Sequence, residues 1–79
     1  MFEVYWGGGT VEERIKAAVG AFWKRAGRLP AGVVVNEEEV EAAQAAREGL
    51  GLPAGMGVEG SGGCLVTEVW VRADTGKGE

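Results

Sequence analysis

The chain opens on a short alternation. Phe2, Val4 and Trp6 fall on one side of an extended segment and Glu3 and Tyr5 on the other, which predicts a first strand over residues 1–6. Gly7-Gly8-Gly9 breaks it, and Thr10 followed by Glu13 has the spacing of a capping box. From Val11 to Ala26 the apolar residues Val11, Ile15, Ala18, Val19, Phe22 and Ala26 recur at helical spacing. Glu12, Arg14, Lys16 and Lys24 are expected outside that stripe, and Trp23 borders it. Gly27 suits the residue after a helix, and Pro30 blocks its continuation. Gly20, inside the helix, predicts a close packing contact.

Residues 32–35 form a continuous apolar run, the pattern of an interior strand covered on both faces. Asn36 then caps a second helix, Glu37 to Glu48, with an alanine-rich apolar side and Gly49 and Gly51 at its end. A weak strand over residues 56–59, the turn Gly60-Ser61-Gly62-Gly63 and a strong strand from Cys64 to Val71 read as a hairpin. The expected order is β-α-β-α-β-β. It implies a small α/β (α+β-like) domain over 1–72, a four-stranded mixed sheet with two helices packed on one face, and a polar tail over 73–79.

Composition narrows the chemistry. Of the 79 residues, 12 are acidic and 8 basic, for a net charge of −4, which argues against a nucleic-acid partner. Residues 1–31 are net basic and 32–79 net acidic; the solvated-face reading covers both, with Lys24, Arg25 and Arg28 at the end of the first helix kept as a small anion or partner patch. The chain has no histidine and a single cysteine, Cys64. That excludes Ser–His and Cys–His dyads, and a lone thiol without a base reads as structural. Glu37, Glu38, Glu39 and Glu41 fan around a helix rather than converge, so neither a metal nor an acid–base pair is expected. No cofactor and no enzymatic activity are expected. No segment approaches the length of a membrane span or a signal peptide, and a lone cysteine suits a reducing, cytoplasmic setting. The scarcity of Asn and Gln is a hint of a thermophilic bacterium.

Two surfaces remain. If the helices cover Phe2, Val4, Leu65, Val69 and Val71, the opposite face of the sheet carries Tyr5, Val34, Val66 and Trp70, punctuated by Glu3 and Glu68. An apolar, aromatic face on a protein too small to cover it implies protein–protein association, here a homodimer through the open sheet face or an edge strand. The alternative is a small ligand or anion, phosphate or nucleotide, held by Gly8, Gly9, Thr10 and Asn36 where two helix N-termini meet the ends of two strands.

Overall fold

A computed structural model describes residues 2–53 and 55–73. The chain runs β1 (Phe2–Trp6), α1 (Val11–Ala26), β2 (Gly32–Asn36), a 3-10 turn (Glu37–Glu39), α2 (Val40–Gly49), β3 (Gly57–Ser61) and β4 (Glu68–Arg72). This is a four-stranded mixed sheet with two helices, a small α+β fold. Of the expected tail over 73–79, residues 74–79 lie outside the described residues.

The local signals work as their chemistry dictates. Thr10 Oγ1 accepts the Glu13 N–H at 3.1 Å while Glu13 Oε1 accepts the Thr10 N–H at 3.0 Å, a closed capping box. At the other end Gly27 takes φ 74°, and its N–H reaches the Trp23 carbonyl at 2.8 Å. Asn36 Oδ1 accepts the Glu38 N–H at 2.9 Å. It starts a tight 3-10 turn, so α2 proper begins at Val40 rather than at Glu37.

The sheet order is β1-β4-β2-β3. β2 and β3 pair in parallel through the α2 crossover, whereas β4 runs antiparallel to both β1 and β2 and lies between them. The expected β3–β4 hairpin is therefore absent: the glycine-rich segment after β3 carries the chain back across β2, and β4 starts at Glu68 rather than Cys64. Side chains explain the exchange. β4 has Val69 and Val71 to bury and can occupy the interior, while β3 contains Gly57, Gly60 and the charged Glu59 and suits an edge.

The core lies between the sheet and both helices. Val11, Ile15, Ala18, Val19 and Phe22 of α1 and Ala43 and Ala46 of α2 meet Val33, Val35, Val69 and Val71. Arg14, expected outside the stripe, is buried, because its guanidinium has a carboxylate partner in Glu39. Gly20 makes no close contact: a Cβ there would meet nothing within 4 Å.

Candidate functional site

The register of the outer strands decides which residues the helices leave uncovered. Phe2 pairs with Arg72, Glu3 with Val71, Val4 with Trp70 and Tyr5 with Val69. Since Val69 and Val71 point into the core, Glu3 and Tyr5 share the helix side, and Phe2, Val4 and Trp6 lie on the open face. The expected sidedness of β1 is thus reversed. A shift of pairing by one residue exchanges every side chain between faces, and nothing local to β1 sets that pairing.

The open face presents Phe2 at 46%, Val4 at 39% and Trp6 at 72% exposure, side by side with the half-buried Trp70. The Phe2 and Trp70 rings stand 5.9 Å apart at a tilt of 55°. Of the four sequence-derived interface residues, only Trp70 is both on this face and accessible. Val34 shares the face but is buried between Trp70 and Glu59, its neighbours in register. Tyr5 lies on the helix side, where its hydroxyl donates to Glu3 Oε1 at 3.0 Å, and Glu3 also pairs with Arg25. Burial and the adjacent Glu3 carboxylate raise the Tyr5 phenol above its ordinary range. Val66 is exposed, but in the turn before β4 and not on the sheet. Leu65, expected under the helices, is exposed in the same turn.

Charged groups border the strip. Glu68 Oε1 accepts the Leu65 N–H and the Trp70 indole N–H, each at 3.1 Å. The Leu65 amide, followed by the Trp70 indole, holds this carboxyl below the usual carboxylate range. At the opposite end Arg72 lies over Gly32, where a Cβ would come 3.4 Å from its Nη2, and reaches Glu59 at 3.5 Å. A side chain at that position would also press on the Gly57 carbonyl at 3.1 Å, so it fits only if these neighbours give by a few tenths of an ångström.

The glycine loop is built differently from an open anion cradle. Gly8 is exposed with free space around it. Gly9 has φ 88°, and a Cβ there would stand 2.1 Å from Glu13 Oε1. Glu13 therefore occupies the position before Thr10 where a bound anion would sit. The β1 and β2 ends share one sheet edge, as expected from their common direction. There Arg14 donates to both Glu39 oxygens, at 3.2 and 2.9 Å, and so ties the start of α1 to the turn before α2. Asn36 is committed at both ends of its amide, since its Nδ2 donates to the Cys64 carbonyl at 2.9 Å. The basic trio is partly committed as well: Arg25 pairs with Glu3, and Arg28 donates to the Ala73 carbonyl at 2.7 Å.

Cys64 is fully buried, with Sγ 3.6, 3.7 and 3.5 Å from the carbonyl oxygens of Val34, Leu65 and Glu68. Burial first, then the charges of Glu68 and Glu39, pushes its thiol up and keeps it protonated. Among the described residues no three carboxylate or thiol groups converge on a point that would hold a metal, and no helix is long and apolar enough to cross a membrane. A second apolar surface lies on the helix layer, where Trp23, 53% exposed, walls a shallow groove with Leu29, Leu50 and Leu52. No protein-family model, curated protein or solved structure matches this chain.

Proposed function

We propose that this protein is a non-enzymatic interaction module of the cytoplasm that associates with a second copy of itself through the open face of its sheet or the β1 edge that borders it. The observation that carries the reading is the strip of Phe2, Val4 and Trp6, well exposed on one strand and continuous with Trp70. Fully burying such a side chain is worth about 1.5–3 kcal/mol, and with 46%, 39% and 72% of Phe2, Val4 and Trp6 exposed the strip forgoes about half of that per residue, a sizeable share of what a chain this short can gain. A contact between like strips recovers part of it, and a two-fold axis allows one patch to serve as both halves. The charged groups lie at the strip's ends, Glu68 at one and Arg72 with Glu59 at the other, as a polar rim around an apolar centre would require. The competing anion reading finds the carboxylates of Glu13 and Glu39 already on the groups that would bind an anion.

The test is light scattering across a concentration series, with Trp6→Lys as the perturbation, a charge that Glu68 opposite it tolerates. Trp6 is largely exposed, so the variant should keep the fold by circular dichroism and lose the dimer. A wild-type chain still monomeric at roughly 100 µM, corresponding to association weaker than about −5.5 kcal/mol, would refute the proposal.

A further inference from the structure

We infer that the two copies join edge to edge, β1 against β1, around a two-fold axis at Val4, so that two four-stranded sheets become one. This rests on the reading that the partner is a second copy, and adds which strand, which register and which atoms make the contact. The Gly7 N–H donates to the Thr67 carbonyl, and the same register continues through Tyr5–Val69 and Glu3–Val71. Antiparallel pairing alternates bonded and non-bonded positions, so Glu3, Tyr5 and Gly7 turn their backbone groups toward β4. Phe2, Val4 and Trp6 then turn theirs to the outer edge, where among the described residues no strand pairs with them. These are also the residues whose side chains crowd the open face.

The other outer strand, β3, is poorly suited to such a contact, with two glycines and a glutamate in five residues. β1 has no proline, no lysine and no left-handed residue that would mark a bulge, and its one charge, Glu3, is paired with Arg25.

Charge selects the register. With the axis at Val4, Phe2 faces the partner's Trp6 and Val4 faces its own counterpart, so every outward N–H and C=O of both copies finds a partner. Aromatic side chains then pair across the seam on the open face. On the helix side Glu3 faces the partner's Tyr5, beside Arg25, so carboxylate meets phenol and guanidinium. An axis at Glu3 would instead set two carboxylates directly opposite one another, and an axis at Tyr5 would place Phe2 against Gly8 and waste its side chain.

Two variants test the edge separately from the face. Val4→Pro deletes an N–H that points away from β4, so β1 keeps its pairing while the seam loses a bond from each copy. The dimer dissociation constant should rise about 30-fold or more, with the circular dichroism spectrum retained. Val4→Cys should form a disulfide-linked dimer on mild oxidation, because the axis brings the two positions to about 5.5 Å between Cα atoms, within disulfide range. Glu3→Cys should not, since residue 3 faces the partner's residue 5; the buried Cys64 stays out of the reaction. A wild-type dimer that tolerates Val4→Pro and does not cross-link through Cys at position 4, yet separates with Trp70→Glu, would overturn the edge contact and leave face-to-face association standing. A monomeric wild type would overturn both.

Discussion

Replacing Glu39 by Ala should be the most damaging single change near the glycine loop, and worse than removing its partner. Arg14 is 6% exposed at its side chain and holds Glu39 through two bonds of 3.2 and 2.9 Å. Without the carboxylate, the guanidinium keeps only the Gly9 carbonyl, 3.5 Å from Nε. Breaking a fully buried pair from one side costs about 3–5 kcal/mol, most of it the stranded charge. Glu39 is 24% exposed, so water reaches part of the vacated space, and about 2–3 kcal/mol is the expected loss. Arg14→Met keeps the buried stem and leaves a carboxylate that can turn to solvent, so it should cost about 1 kcal/mol. The double variant should resemble Arg14→Met alone, because neither charge is then stranded. Urea denaturation followed by tryptophan fluorescence measures all three, with unchanged slopes if the unfolded states are alike. In a domain of this size the Glu39→Ala loss would lower the melting temperature by roughly 8–24 °C. A Glu39→Ala variant within about 0.5 kcal/mol of wild type, or more stable than Arg14→Met, would refute the assignment of a stranded charge.

Gly20→Ala should stabilise the protein by about 0.5–1 kcal/mol, since the added methyl meets nothing and the helix gains propensity; a loss in thermal melting would contradict the open notch beside Trp23. Gly9→Ala should cost more than about 1 kcal/mol, as it strains a left-handed residue and displaces the Glu13 carboxylate from the capping box. Iodoacetamide should label Cys64 only after denaturation. Because the folded thiol is raised, its contribution is complete below the unfolded value near 8.5 and falls away as pH climbs toward the folded value, a slope that Cys64→Ala should remove. Glu68 has the opposite sign: its contribution is present above about pH 4.3 and is lost as pH falls through the lower folded value. Trp70 emission should change in that acid window in the wild type and stay constant in Glu68→Gln.

Local chemistry made the helix ends legible. Thr10 with Glu13, Gly27 and Asn36 act on groups within four residues of themselves, so the sequence alone determined where α1 begins and ends and where the second helical segment starts. The continuous run Val33-Val34-Val35 likewise announced a strand buried on both sides, and all three valines are buried. Strand order and sidedness were not legible in the same way. The glycines after Gly60 are compatible with a tight hairpin or with a wider return, and only competition for the interior put β4 between β1 and β2. The alternation in β1 grouped Phe2, Val4 and Trp6 correctly, but which face they occupy depends on pairing with a strand more than sixty residues away. Arg14 follows the same logic. Its place near the helix start marked it for solvent, and only the arrival of Glu39 from the next crossover made its burial affordable. Short-range hydrogen bonds determined the elements, whereas long-range burial and ion pairing decided which surface the protein leaves exposed.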